Sequence, residues 1–268
     1  MNVGTKFLFS IFQTIYKKAQ KMGNSVYIFS LLFTLSSLTS AQFPPGIEKC
    51  HYGDSECIIQ TASKIIVNFP RGIKEIGLPS IDPQFHEKID LKRNLNGALN
   101  LQLFLRNVNL YGFSTAKILQ MDGFTKEPKK LQVHFKADKL EVTGDYKLRG
   151  EFLLFPMTGE GKTNNTMLDF DFYWNGTVKL VEKDNEKYLK LENYKARFTT
   201  TRIFFFFDNL FGGDKALAKS ANEFFNDNWR IFFDAMKPLL FKLVGQFFGT
   251  ILNEPFSKIP YNNFFLED

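Results

Sequence analysis

The chain has 268 residues, of which 44% are hydrophobic, so it can bury a sizeable core without relying on cross-links. Its net charge of +6 comes largely from residues 1–41, which contain four of the 34 basic residues and none of the 28 acidic ones. The remainder is nearly neutral and has no dense cluster of lysine and arginine. It therefore lacks the electrostatic surface typical of a nucleic-acid-binding protein.

Residues 1–41 have the pattern of a targeting segment rather than of a fold. Lysines at 17, 18 and 21 precede an apolar run over 26–38, and small residues at 39–41 follow. This order is typical of a secretory signal peptide, and the apolar run is short for a membrane span. We therefore expect cleavage near Gln42, a secreted single domain over 42–268, and no membrane span after cleavage. An uncleaved signal anchor is the alternative, and both Met1 and Met22 are candidate start sites.

Two cysteines, Cys50 and Cys57, lie close together near the expected mature N-terminus. An isolated close pair in a secreted chain predicts a disulfide. A metal site is the alternative, but it needs more ligands than the nearby His51 provides. Within the loop, Asp54 is a candidate N-cap for a helix whose apolar residues recur every three or four positions. These residues are Ile58, Ala62, Ile65, Ile66 and Phe69.

The middle of the chain alternates between apolar and polar residues, which predicts antiparallel strands with one dry face and one wet face. The alternating apolar residues are Leu99, Leu101, Leu103, Leu105, Leu131, Val133, Phe135, Leu140, Val142, Leu168, Phe170, Phe172, Trp174, Val178 and Leu180. The phase changes between Phe135 and Leu140, which predicts a bulge or a turn. The dipeptide Asn175-Gly176 predicts a hairpin turn.

The last quarter of the chain predicts one long helix. Gly213 and Asp214 provide a turn and an N-cap, and apolar residues then recur at steps of three and four up to Leu243. Past Trp229 the apolar positions spread around the helix, and a helix that is apolar on most sides must be covered by other elements. From Asp214 to Asn253 it would measure roughly 55–60 Å. We therefore predict an α+β fold in which a strongly curved antiparallel sheet wraps this long C-terminal helix.

Three segments carry a recognisable signature. The most specific begins at Leu210 with LFGGDKALAKSANEFFNDNW, continues with a Lys-Pro pair and ends with NEPFSKIPYNNFF at Phe265. The cysteine pair followed by GIKEIGLPSIDP over 72–83, and NLYGFS over 109–114, are weaker. Together they resemble the takeout/juvenile-hormone-binding family of insects. The hormone-binding branch has a second disulfide whose cysteines are absent here, so the chain is more similar to the takeout branch.

The resemblance implies a tubular lipid-binding fold with an apolar tunnel. It also implies a secreted, extracellular, monomeric carrier of a small hydrophobic ligand such as a fatty acid, a terpenoid or a juvenile-hormone-like lipid, with no enzyme activity, cofactor or metal. The alternative is an extracellular signalling or protein-interaction factor, with an unknown receptor, whose tunnel is structural. Candidates for the tunnel lining come from the first helix, the strands and the long helix, and each is equally consistent with ordinary core. They are Phe69, Leu101, Leu103, Val133, Phe135, Phe170, Phe172, Trp174, Trp229, Phe232, Phe233 and Met236.

The sequence offers little for catalysis. The segment GFSTA over 112–116 partly resembles a nucleophile elbow, but it lacks the second glycine and a glycine-rich oxyanion loop. The three histidines, His51, His86 and His134, are not at metal-ligand spacings. We therefore interpret Ser114 as part of a turn at a strand end.

Two sequons, at Asn164 and Asn175, predict N-glycosylation. Asn164 lies in a polar segment that we interpret as a turn. Asn175 lies in the predicted hairpin, where the chain is less accessible. We expect higher occupancy at Asn164.

Overall fold

One curved antiparallel sheet forms the frame of the molecule. The structure is a computed structural model that describes residues 46–95, 99–152 and 155–267. The predicted signal segment and its cleavage site lie outside the described residues. Within the described part, seven strands follow the order β1-β2-β4-β5-β6, with β3 paired to β4 and β7 paired to β5. The strands are β1 (Gln84–Leu95), β2 (Leu99–Tyr111), β3 (Lys117–Asp122), β4 (Lys130–Phe152), β5 (Phe155–Lys183), β6 (Glu186–Thr199) and β7 (Arg202–Phe204).

The predicted change of phase is present in β4, but it interrupts neither the strand nor its pairing with β5. Residues 131, 133, 135 and 137 are buried on one side, whereas Leu140, Tyr146 and Leu148 are buried at the alternate phase. The partner strand changes at the same point, because β3 pairs with β4 up to Lys136 and β2 pairs with it from Glu141 onward. One long strand thus contributes to two different parts of the interior.

The hairpin predicted at Asn175-Gly176 is wrong. Both residues lie inside β5, paired with β4 on one side and β6 on the other. A side chain at Gly176 would lie 2.6 Å from the Trp174 ring, so glycine is required there for close packing against an indole rather than for a turn. The turn into β6 falls instead at Asp184 and Asn185, whose φ angles are +52° and +63°.

Three α-helices and four short 3₁₀ turns complete the described part of the fold. The first, α1 (Ser55–Asn68), begins after Asp54, whose carboxylate accepts a hydrogen bond from the Cys57 N–H at 3.0 Å, as predicted. The second is α2 (Lys215–Asp227), capped by Asp214, and the third is α3 (Trp229–Lys258). The predicted uninterrupted helix is therefore wrong. It is broken at Asn228, whose side-chain amide donates to the Phe224 carbonyl at 2.9 Å and satisfies the last turn of α2.

The long helix α3 lies against the concave side of the sheet and joins two core clusters. The first cluster combines β3 to β6 with residues such as Trp229 and Phe233. The second combines β1, β2 and α2 with residues such as Phe232 and Met236. By length and composition alone α3 could cross a membrane, because an 18-residue stretch of it has a mean hydropathy of 1.2. Here the helix contributes to both core clusters. This arrangement confirms the predicted α+β fold with a helix wrapped by a curved antiparallel sheet.

Two asparagines of α2 hold the segment that follows β7. The Asn226 side chain accepts from the Phe205 N–H at 2.8 Å and donates to the Phe205 carbonyl at 2.9 Å. Asn222 makes the same pair of bonds with Phe207, at 2.9 Å each. A spacing of four residues places both amides on one helix face. They satisfy backbone groups of this segment as a neighbouring strand would.

Candidate ligand-binding cavity

An apolar cavity of about 260 Å³ lies between α1, the sheet and the C-terminal half of α3. Its volume is slightly below the ~300–1,000 Å³ typical of small-molecule pockets, which suits a slim ligand. Its apolar lining includes Ile58, Ala62, Ile65 and Ile66 of α1, Leu110, Ile118, Met121, Val133, Phe135 and Phe172 of the sheet, Val244, Phe247, Phe248, Ile251, Leu252, Pro255 and Phe256 of α3, and Phe264 and Phe265 of the C-terminal tail.

The apolar stripe of α1 forms one wall of this cavity. None of the residues of α1 is buried, although Ile58, Ala62 and Ile65 recur on one face of the helix. These side chains line the cavity instead. An amphipathic helix normally buries its apolar face in a core. The stripe of α1 therefore leaves apolar surface available to a ligand.

The opposite wall shows the same incomplete burial. Phe247, Phe248 and Ile251 of α3 line the cavity and are only half-buried. Phe248 also contacts the sheet, with its ring centroid 5.2 Å from that of Phe172. The rings are thus held in place on one side while the other side faces the cavity. Covering this surface is the favourable step that an apolar ligand can supply.

The disulfide fixes the end of the cavity. Cys50 and Cys57 are bonded, which confirms the predicted pair. The Cys50 carbonyl also accepts a hydrogen bond from the Leu266 N–H at 3.0 Å, and Cys50 forms a β-bridge with Phe265. Because Cys50 and Phe265 both line the cavity, the cross-link ties α1 and the C-terminal tail together at the same place.

The GIKEIGLPSIDP and NLYGFS segments meet at Asp82. Its carboxylate accepts hydrogen bonds from the Ser114 hydroxyl at 2.6 Å, the Ser114 N–H at 2.8 Å and the Gly112 N–H at 3.1 Å. Gly112 has a φ of +106°, and a side chain there would meet the Lys139 carbonyl at 2.2 Å. Ser114 therefore orders a turn beside the cavity, as an aspartate-capped residue rather than a histidine-activated nucleophile.

Polar side chains in the lining are few among the described residues. The Glu48 carboxylate is exposed and pairs with Lys64 at 2.6 Å. The Thr61 hydroxyl donates to the Glu48 carbonyl at 3.3 Å. Gln84, at the start of β1, is the one polar lining residue that is itself buried. No group of three or more histidine, cysteine, aspartate or glutamate residues that could hold a metal is found in the described residues.

Comparison with known proteins places the chain in a family. The family model described as "Haemolymph juvenile hormone binding protein (JHBP)" matches residues 28–266. The chain belongs to this family. Proteins of this family are binding proteins for small hydrophobic ligands.

The JHBP relatives include the circadian clock-controlled protein daywake of two fruit flies. The Drosophila yakuba protein is 27% identical over 240 residues, which cover 84% of this chain and 89% of that protein. The Drosophila melanogaster protein is 24% identical over 235 residues, with the same coverage. The crystal structure of Epiphyas postvittana Takeout 1 superposes with a TM-score of 0.69 at 22% identity, covering 80% of this chain and 97% of that chain. This structural similarity shows a shared fold.

The JHBP fold places the twelve candidate lining residues in different environments. Val133, Phe135 and Phe172 line the cavity. Phe170, Trp174, Trp229 and Phe233 lie in the first core cluster, and Leu101, Leu103, Phe232 and Met236 lie in or against the second. Phe69 packs on a small third cluster around Ile73 and Ile259. The apolar cavity therefore takes only a few of the candidates, and the others pack into the core clusters of the described residues.

Several cavity residues are absent from the candidates chosen by sequence. They are the stripe of α1 before Phe69, the C-terminal half of α3 and the two phenylalanines of the tail. The α1 stripe was visible as a helical periodicity, and the C-terminal half of α3 was visible as a segment apolar on most sides. Gln84 carried no sequence signal, because a single glutamine after a proline is ordinary in a loop.

Proposed function

We propose that this protein is a secreted carrier that holds one small hydrophobic ligand in the cavity between α1 and α3. The observation that carries the proposal is the incomplete burial of Phe247, Phe248 and Ile251, which line a cavity that is almost entirely apolar. Membership of the JHBP family supports the same function. The carrier acts by enclosing the ligand, without a cofactor.

The ligand class follows from the lining. An elongated fatty acid, terpenoid or juvenile-hormone-like lipid would replace water on the half-buried rings. Each buried methylene contributes about 0.8 kcal/mol, so about fifteen of them contribute roughly 12 kcal/mol, of which about 8 kcal/mol remains after an association cost of about 4 kcal/mol. Micromolar affinity is then the expected order of magnitude. Because burial drives the binding, affinity should depend weakly on salt.

Secretion is supported by two independent features. Residues 1–41 have the order of a signal peptide, and the two cysteines are joined in a disulfide. Disulfides persist in oxidising extracellular environments. We propose that the mature chain begins near Gln42 and circulates as a monomer.

The second candidate function is an extracellular protein-interaction factor. Phe204 and Phe206 are 45% and 53% exposed beside the α2 asparagines, and large exposed aromatic residues favour protein contacts. In this case the cavity would serve only the fold. The two candidates differ in whether lipid occupies the cavity.

The test uses protein secreted from insect cells expressing the full chain. Native mass spectrometry before delipidation should show one lipid per chain, and displacement of a fluorescent lipid should give micromolar or tighter affinities for a lipid panel. Raising the salt concentration from 0.05 to about 0.5 M should change these affinities little. A stably folded, delipidated protein that binds no member of the panel would overturn the carrier proposal and favour the interaction factor.

A further inference from the structure

Gln84 is an unusual residue to find in this cavity wall. It is the first residue of β1, is only 8% exposed, and pairs in register with Leu110, which also lines the cavity. Thr163 is the other buried polar residue of the described chain, and its hydroxyl donates to the Phe206 carbonyl at 2.8 Å. The Gln84 side-chain amide, by contrast, forms no hydrogen bond with any described residue.

The Gln84 side chain is mostly buried, but its amide keeps some accessible surface and is not among the fully buried polar atoms that lack a partner. A polar group in an apolar wall is favourable there only when it is hydrogen-bonded. Methionine or leucine would fill the same space at lower cost. Gln84 lines the cavity, so a molecule inside the cavity is the partner that its position makes available. The amide offers both a donor and an acceptor.

The charges around the cavity narrow the class of ligand. Among the described lining residues there is no lysine, arginine or histidine, and the one charged residue, Glu48, is negative. His86 lies two residues along β1, stacked on Phe247, and burial lowers its pKa to about 4. It is therefore neutral at neutral pH. An ionised carboxylate entering this cavity would lose its hydration and meet no cation.

We propose that the Gln84 amide binds the uncharged polar group of the ligand, such as an ester or ketone carbonyl or a hydroxyl, and that the cavity thereby selects neutral lipids over ionised fatty acids. This inference rests on the proposed carrier function and adds the chemistry of the ligand's polar end. A glutamine suits this role because it can donate to a carbonyl and can both donate to and accept from a hydroxyl.

The experiment compares four ligands that share a twelve-carbon chain by displacement of N-phenyl-1-naphthylamine at pH 7.5. Dodecanol, methyl laurate, laurate and dodecane share a chain and differ in their polar end. The variants Gln84→Met and Gln84→Leu both remove the amide, and they replace it with apolar side chains of different shape. Gln102→Leu is the matched control, because Gln102 is exposed on the neighbouring strand β2.

Wild-type protein should bind dodecanol and methyl laurate more tightly than laurate. Both Gln84 variants should bind dodecanol and methyl laurate about threefold to tenfold more weakly than wild type, which is the usual range for one lost hydrogen bond. Their affinity for dodecane should be unchanged. Gln102→Leu should behave as wild type. Thermal melts of the Gln84 variants should match or exceed wild type, since an unpaired amide is removed.

Three outcomes would overturn the inference while leaving the carrier function intact. The Gln84 variants could lose as much affinity for dodecane as for the polar ligands, they could lose no affinity for any ligand, or wild type could bind laurate more tightly than methyl laurate. Unfolding of both Gln84 variants would assign the amide a structural role and overturn it as well. Failure of all four ligands to displace the probe from wild-type protein would overturn the carrier proposal itself.

Discussion

The imidazole ring of His86 lies stacked on the phenyl ring of Phe247, with the ring centroids 3.5 Å apart and the planes 21° from parallel. Phe247 lines the cavity, so His86 supports the wall from behind. Its Nε2 atom is buried and has no hydrogen-bond partner among the described residues. Burial in this apolar setting disfavours the charged ring and lowers the pKa of His86 from 6.5 to about 4.

This pKa predicts a loss of stability on mild acidification. Between pH 6.5 and about 4 the unfolded chain binds a proton at His86 that the folded chain does not bind, so the free energy of unfolding falls as the pH falls through this window. A His86→Phe variant keeps an aromatic ring on Phe247 but cannot take up the proton. Urea unfolding at several pH values from 7.5 to about 4 should show a flatter dependence for this variant than for wild type. Parallel curves would contradict the prediction.

The same substitution should have opposite consequences at two alanines. Ala62 lines the cavity, whereas Ala235 packs against the second core cluster. Ala62→Phe should occupy ligand space and weaken lipid binding at least tenfold, with little change in melting temperature. Ala235→Phe should overpack the core and destabilise the fold by about 1–3 kcal/mol. Fluorescent-lipid displacement measures the loss of binding, and thermal melts measure the loss of stability. If both variants lost affinity and stability to the same extent, the assignment of Ala62 to the cavity and of Ala235 to the core would be wrong.

Removal of the disulfide should loosen the end of the cavity. Cys50 and Cys57 are seven residues apart, and a loop of this length is worth about 2–3 kcal/mol by restricting the unfolded chain. The double variant Cys50→Ala/Cys57→Ala should lose this much stability and bind lipid more weakly, because Cys50 also holds the C-terminal tail through Leu266. Denaturant unfolding and lipid displacement test the two effects separately. Unchanged affinity in a folded double variant would show that the tail keeps its place without the cross-link.

The α2 asparagines should be individually important for stability. Asn226→Ala would leave both the N–H and the carbonyl of Phe205 without their protein partner, at a cost of about 1–3 kcal/mol, and Asn222→Ala should do the same at Phe207. Ser220→Ala, at an exposed position on the same helix, is the control and should cost little. Denaturant unfolding of the three variants provides the comparison. Equal stabilities for Asn226→Ala and Ser220→Ala would refute the role of the side-chain amides.

Glycan occupancy should differ between the two sequons. Both asparagines are exposed residues of β5, so neither lies in the turn that we predicted for it. Asn175 has paired strands on both sides, whereas Asn164 has β4 on one side and hydrogen-bonds to Phe206 on the other. We expect Asn164 to carry more glycan. Mass spectrometry of secreted wild type, Asn164→Gln and Asn175→Gln protein measures this, and higher occupancy at Asn175 would reverse the prediction.

Local signals in the sequence were sufficient for the elements whose structure depends on near neighbours. Asp54 capping α1, the apolar stripe of that helix and the alternation along the strands each follow from contacts within a few residues. The wrapped helix also followed, because a segment apolar on most sides has to be covered. The disulfide followed because only two cysteines are present.

Other features depended on contacts between distant segments. Phe170 and Phe172 lie on the same side of β5 and have the same periodicity, yet Phe170 packs 4.8 Å from Phe198 while Phe172 lines the cavity. Gly176 continues a strand that is paired with β4 and β6 rather than forming a turn, and the ring of Trp174 leaves no room for a side chain there. A two-residue periodicity predicts which side of a sheet a residue occupies, but it does not predict what covers that side. The division of one apolar interior into packed core and open cavity was decided by where α1 and α3 lie across the sheet, because only that placement determines which apolar surfaces remain uncovered.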